Sequence, residues 1–224
     1  MPNPPLLLCD SDALVQLFLA NNLRPLQSLK STYHIQPSIV LEVDVELRWM
    51  KKYKNRFVPQ LDKALKNGVL TKLDPSAFQS LLGTATPGMS WANYQTLGQR
   101  YELVVQRGEA YTHAAAVSLG LPAMSNDGKA VLTLTGQMMS VATPVLRLFD
   151  LLVFSHDTGL LSTKECDDIR SELLNNGEGL PGPFQNASFV NGAKTFPCRL
   201  KSGVSANGPF PQPANHYDPL TICP

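Results

Sequence analysis

Residues 6–22 read LLLCDSDALVQLFLANN, and this stretch decides the fold class. Leu6 to Cys9 is a short apolar run of the kind needed by a strand buried on both faces. Asp10-Ser11-Asp12 ends it, and from Ala13 to Asn22 the residues Leu14, Leu17 and Phe18 recur at helical spacing. Asp10 therefore stands where a strand hands over to a helix. Apolar runs go on alternating with helical patterns through the first 175 residues, the sign of strand and helix layers around a parallel sheet. After a break at Pro25, the pattern predicts a second strand at Tyr33-His34-Ile35. A helix opened by Pro37-Ser38 then runs through Val43 and Leu47 towards Tyr53. A third helix covers Pro59 to Lys66, Asn67-Gly68 stops it, and Val69 to Leu73 follows as a strand. Gly83 to Gly88 is a loop. A small-residue helix from Ala110 to Leu119 closes on Gly120, Pro122 to Ser125 leads to Asp127, and further helices cover Pro144 to Phe154 and Thr163 to Leu174.

From Asn176 to Pro224 the composition changes: 8 of the 18 prolines and 6 of the 15 glycines fall there, with little apolar periodicity. The expected organisation is one domain over residues 1–175 and a Pro/Gly-rich tail over 176–224, extended, disordered or draped over the domain. The 224 residues, 43% of them hydrophobic, suffice for one sizeable core. A net charge of +1 leaves no global polycation or polyanion, so a charge-driven site has to be local. No apolar run approaches the roughly 18 to 20 residues that span a bilayer. Met1 to Pro5 lacks the basic start of a secretory signal. The expected location is cytoplasmic, without a membrane partner. Cys9, Cys166, Cys198 and Cys223 are spaced for neither a zinc site nor a disulfide framework.

In open parallel sheets, ligands gather beyond the carboxyl ends of the strands. Asp10 and Asp127 fit that description, Glu109 opens the Ala-rich helix, and Glu42 lies one turn into the helix counted from Pro37. Four carboxylates without His or Cys suit Mg²⁺ or Mn²⁺. A nuclease-type site follows, because such an ion acidifies a bound water and offsets charge on a scissile phosphate. Singly, each acid has an ordinary structural reading. Glu109 complements a helix N-terminus, Asp127-Gly128 makes a turn, Asp10 and Asp12 cap a helix, and Glu42, Asp44 and Glu46 are exposed helix positions. Their order and context together favour the functional reading.

Arg48, Lys51, Lys52, Lys54 and Arg56, interleaved with Trp49 and Tyr53, form a candidate RNA-backbone contact. The competing reading is a solvated helix face with Trp49 in the core. His113 falls four residues after Glu109 and reads as a structural histidine. No Gly-rich phosphate loop follows the first strand, which disfavours a nucleotide-binding module.

Four segments resemble the PIN-domain ribonucleases, the fold of many VapC-type toxins. LLLCDSDALVQLFLANNL (residues 6–23) is similar to the family's first strand ending in Asp, and IQPSIVLEVDVELRWM (35–50) to the Pro-initiated helix that supplies an acid. RGEAYTHAAAVSLGLPAMSNDGKAV (107–131) resembles the Gly-Glu-Ala helix and its Ser/Thr-x-Asp corner, and is the most specific of the four. VLRLFDLLVFSHDTGLLSTKECDDIRSELL (145–174) is similar to the closing helices. The resemblance implies a three-layer α/β/α PIN-like fold with a central parallel sheet. It also implies a Mg²⁺- or Mn²⁺-dependent endoribonuclease cutting single-stranded or structured RNA. A toxin restrained by a small antitoxin protein, and a homodimer, go with it.

Carried over by motif, the catalytic acids are Asp10, Glu42, Glu109 and Asp127. Asp10, Glu109, Asp127 and Asp12 take the metal, with Ser11, Glu46 and Ser125 auxiliary. Asp44 and Glu46 lie beyond Glu42 on the second-helix segment, and Glu42 and Glu46 share a face by their i, i+4 spacing. The choice among the three stays open at this point. Asp74 to Gln99 and the tail depart from the compact toxin pattern. The alternative they raise is a catalytically weak or inactive PIN-like scaffold acting through protein contacts.

Overall fold

The computed structural model describes residues 5–51, 54–85, 89–127 and 145–198. Its elements run β1 (Leu6–Cys9), α1 (Ser11–Leu19), α2 (Arg24–Tyr33), β2 (Gln36–Val40), α3 (Leu41–Trp49), α4 (Lys54–Lys66), β3 (Thr71–Leu73) and α5 (Pro75–Ala85). They continue with α6 (Trp91–Glu102), α7 (Arg107–Leu119), β4 (Ala123–Met124), β5 (Val145–Leu146), α8 (Leu148–Asp157), α9 (Thr163–Asn175), α10 (Gly182–Gln185) and α11 (Phe189–Thr195). The five strands form one all-parallel sheet in the order β3-β2-β1-β4-β5, flanked by helices. Leu7, Leu8 and Cys9 are almost fully buried, as a strand inside a parallel sheet requires. Among the described residues no helix is long and apolar enough to cross a membrane.

The chain builds outward from β1 through β2 to β3, then returns to place β4 and β5 on the other side of β1. The strand order therefore reverses between β1 and β4, the place where open α/β sheets form a crevice. Backbone hydrogen bonds continue the pairing past the strands: Asp10 N–H donates to Met124 O at 2.9 Å, and Ser125 N–H to Leu146 O at 2.9 Å. Asp10 and Ser125 thus leave adjacent strands side by side at the carboxyl edge.

Several sequence expectations are corrected. Pro25 opens α2 in its first turn instead of breaking a helix, the use for which a fixed φ and a missing N–H suit proline. Tyr33 ends α2, His34 turns the chain at φ 55°, and the strand starts only at Gln36. Pro37 and Ser38 lie inside β2, opposite Leu7 and Leu8, so the helix begins at Leu41. Burial between β1 and β3 outweighs the helix-opening preference of Pro37 there. α4 starts at Lys54, ahead of the expected Pro59. α5 extends through residue 85, and the rest of the expected Gly83 to Gly88 loop lies outside the described residues. Val145–Leu146 pair as β5, leaving α8 to begin at Leu148.

The largest correction concerns the tail. Residues 182–185 and 189–195 are helical, and Leu180, Phe184, Phe189 and Phe196 belong to the same buried cluster as Leu7 and Phe149. Phe184 packs on Phe149 with centroids 4.4 Å apart, and on Phe196 at 5.0 Å. Polar contacts fasten the segment as well. Arg170 Nε donates to Phe184 O at 2.7 Å, and Phe189 N–H to Asp167 Oδ1 at 2.7 Å. The Arg147 guanidinium lies 4.2 Å from the Phe196 ring centre, donates to Pro197 O, and pairs with the fully buried Asp150. Composition hid this because four aromatic and aliphatic anchors are enough to dock a segment rich in Pro and Gly. Residues 199–224, the remainder of the expected tail, lie outside the described residues, as does Cys223. Cys9 and Cys166 are free thiols.

Candidate active site

Asp10 caps α1, its Oδ1 accepting from Ser11 N–H at 2.7 Å, and is 1% exposed. Ser125, just past β4, joins it to α7: the Ser125 hydroxyl lies 3.4 Å from Asp10 Oδ2 and 3.2 Å from Glu109 Oε1. Asp127 N–H donates to Ser125 Oγ at 3.3 Å, so the Ser-Asn-Asp corner folds back on its own serine. Glu46 reaches in from α3, hydrogen-bonded by Ser11 and by the backbone of Gly108, and its Oε2 is buried with no hydrogen-bond partner. Asp12, in the first turn of α1, faces Asp127 and Glu178. Five carboxyls from β1–α1, α3, α7 and the β4 corner therefore converge at the reversal of strand order.

Their electrostatics report the crowding. Burial first, then Glu109 and Asp12, raise Asp10 well above the usual carboxylate range. Burial, then Asp127 and Asp12, push Glu109 up to about 8. Asp12 and Glu46 are raised too, chiefly by burial. Among the described residues no lysine or arginine pairs with Asp10, Asp12, Glu46 or Glu109. His113, fully buried behind Glu109 with Nε2 3.8 Å from Glu109 Oε1, is driven down to about 4 by burial and stands neutral. Asp10, Asp12, Glu46 and Glu109 thus lack a positive partner among the described residues.

Of the three candidate acids on α3, Glu46 alone enters this cluster. Asp44 is buried and spent on Arg48 (2.9 Å) and Lys72 (3.3 Å). Glu42 turns towards Tyr94, Arg107 and Glu102, away from the other acids. The reason is the helix start: with α3 opening at Leu41, Glu42 sits in the first turn, while Glu46 lies one turn on, above Gly108. The basic run is also divided. Arg48 bridges Asp44 and Asp62, and Arg56 donates to Leu19 O and Asn176. Lys51 is exposed, and Lys52 and the side chain of Lys54 lie outside the described residues. Trp49 is 74% exposed, which excludes the core position allowed for it.

Sequence reasoning missed the layer behind the acids. Asn126 accepts from Leu148 N–H at 2.8 Å and donates to Gln16 Oε1 at 2.9 Å, and Gln16 in turn donates to Glu178 Oε2 at 3.4 Å. This chain ties α1, the β4 corner, α8 and the segment after α9 together. The only prior signal was the amide between Ser125 and Asp127, too common in turns to single out.

Among the described residues no group of three or more His, Cys, Asp or Glu side chains is drawn together tightly enough to hold a metal ion as it stands. The chemistry of the donors nevertheless fits a hard cation: carboxyl oxygens only, an orphaned buried Oε2 on Glu46, and no Lys or Arg among the described residues paired with Asp10, Asp12, Glu46 or Glu109. Gly108 is the tightest approach in the site, since a Cβ built there would stand 2.0 Å from Glu46 Oε2. Gly108→Ala is expected to push the flexible end of Glu46 aside with little loss of stability. Displacing a group at this depth should weaken Mn²⁺ binding about 10- to 100-fold, which calorimetry would measure; unchanged affinity would remove Glu46 from the site. No family model, curated protein or solved structure matches the chain.

Proposed function

We propose that the protein is a Mg²⁺- or Mn²⁺-dependent endoribonuclease of PIN type. The observation that carries this reading is the convergence of Asp10, Asp12, Glu46, Glu109 and Asp127, uncompensated by any described Lys or Arg at the first four, at the reversal of strand order. These five carboxyls would hold the ion. When bound, it supplies an acidified water and offsets charge on the scissile phosphate during hydrolysis of the P–O ester bond. The chain's own residues set the geometry. Ser125 holds Asp10 and Glu109 at a fixed spacing, Ser11 orients Asp10 and Glu46, and the Gln16–Asn126–Glu178 chain braces the corner. Neutral His113 keeps water from the back of Glu109 without adding charge.

RNA is the proposed substrate, single-stranded or structured, with Lys51 and Arg56 exposed members of the basic run among the described residues. A toxin role with a small antitoxin, and a homodimer, belong to the same proposal and rest on the sequence resemblance. A second reading, a catalytically weak or inactive scaffold, is favoured by the absence of a ready-made metal group among the described acids. Cleavage of a mixed RNA pool separates the two: Mn²⁺-dependent cutting by the wild type supports the nuclease, and no cutting with any divalent ion supports the scaffold. Arrested growth on overexpression would support the toxin role, and unharmed growth would oppose it.

A further inference from the structure

Glu42, which the acid cluster does not use, lines a small cavity with three aromatic rings. Phe78 from α5 and Trp91 and Tyr94 from α6 stand together beside the start of α3. Phe78 and Tyr94 are 4.3 Å apart between centroids, Trp91 and Tyr94 5.1 Å, and Phe78 meets Trp91 edge-on at 5.8 Å with planes 73° apart. The cavity of about 40 Å³ has room for about three water-sized groups. Its one carboxyl is Glu42, half-buried and hydrogen-bonded by the Tyr94 hydroxyl.

We propose that this cavity binds an alkylammonium head group, with Phe78, Trp91 and Tyr94 lining it and the Glu42 carboxylate as its counter-charge. Three observations converge. Aromatic faces carry negative potential and attract a desolvated cation, most strongly at Trp. A half-buried carboxylate at the cavity wall gains from a cation there and loses from an anion. The charges facing Glu42 from the packed elements are Glu102 on α6 and Arg107 on α7, and Arg107 is turned to Glu102 at 3.7 Å and over the Tyr111 ring. Two carboxylates thus stand against one guanidinium, leaving a negative mouth.

Asp74 to Gln99, the stretch that departs from the compact pattern, supplies all three rings through α5 and α6. Beside the cavity, α3 exposes Leu41, Val45 and Trp49 at successive turns of one face. A lysine carried between apolar residues would use that face, whereas a free amine would not. The proposal is independent of the nuclease reading, since Glu42 stands apart from the acid cluster.

The test uses the full chain with Trp49→Phe, so that Trp91 alone reports, titrated with n-butylammonium chloride. The expected result is a saturable change in Trp91 emission that n-butanol, a neutral molecule of the same shape, does not reproduce. Glu42→Gln in the same background should weaken butylammonium binding at least tenfold while leaving Mn²⁺ binding at the acid cluster unchanged. A Leu-Lys-Leu peptide binding more tightly than butylammonium assigns the head group to a protein side chain, and the reverse order assigns it to a free amine. No saturable change, an equal response to n-butanol, or full binding by Glu42→Gln would each overturn the proposal.

Discussion

Asp10→Asn is expected to abolish saturable Mn²⁺ binding and to lower RNA cleavage by about 100-fold or more, the scale on which losing one preorganised charged group costs a catalyst. The same substitution should make the ion-free protein more resistant to unfolding at alkaline pH. Both effects have one cause. Asp10 is buried beside Glu109 and Asp12, so its charged form is unfavourable until a cation arrives.

The sign follows from the raised values. A carboxyl whose folded pKa lies above its unfolded value contributes stability that is complete below the unfolded value and is lost as pH rises through the folded one. For Glu109 that window runs from 4.5 to about 8, and Asp10 acts in the same direction. His113 works the other way: with a folded value of about 4 against 6.5, its contribution is present above 6.5 and is lost as pH falls towards 4. Above pH 6.5 only the carboxyls remain, and the ion-free wild type should lose melting temperature from there towards pH 8. Asp10→Asn should make that slope shallower by removing one raised carboxyl while Glu109 still contributes, and Mn²⁺ should restore the wild type while leaving the variant unchanged. Melting curves across this pH range, with and without Mn²⁺, decide the matter. A variant as steep as the wild type would show that Asp10 is not the crowded group.

Ending the chain at Asn175 is expected to leave it unfolded. Leu180, Phe184, Phe189 and Phe196 are 0–6% exposed in the intact chain, and each contributes about 1.5–3 kcal/mol of burial. The loss of about 6–12 kcal/mol is comparable to the whole stability of a domain, about 5–15 kcal/mol. It would also strip Phe149 of its 4.4 Å partner and remove the Phe196 ring from Arg147. Phe184→Ala, a milder version, should cost about 3–5 kcal/mol. Chemical denaturation of Phe184→Ala and circular dichroism of the shortened chain measure the two effects. A shortened chain that melts cooperatively like the full one would make the segment after α9 an accessory.

The parallel sheet, the strand-to-helix handover at Asp10 and the Gly120 cap were all legible, because each is written locally in apolar runs, small residues and spacing. What escaped was decided at a distance. Pro37 carries a helix-start signature, and only its place opposite Leu7 of β1 makes it a strand residue. The α3 acids share a short stretch, and their fates depend on α6, α7 and β3, which periodicity along α3 cannot see. Phe184, Phe189 and Phe196 were hidden by proline and glycine counts that average over anchors. Glu178 and Gln16 touch the site through partners 162 positions apart.

The Ser125–Asp10 contact joins residues 115 positions apart, so the acid cluster has no local precursor. A fragment holding β1 and α1 carries Asp10 and Asp12 yet can gather neither Glu109 nor the serine that spaces them. Closing so long a loop is among the slow, late events of folding. Any ligand of the cluster therefore recognises the completed chain alone, and its binding energy is delivered wholly to the native state. For a protein emerging residue by residue, whatever the acids do is withheld at least until the corner that carries Ser125 and Asp127 has emerged.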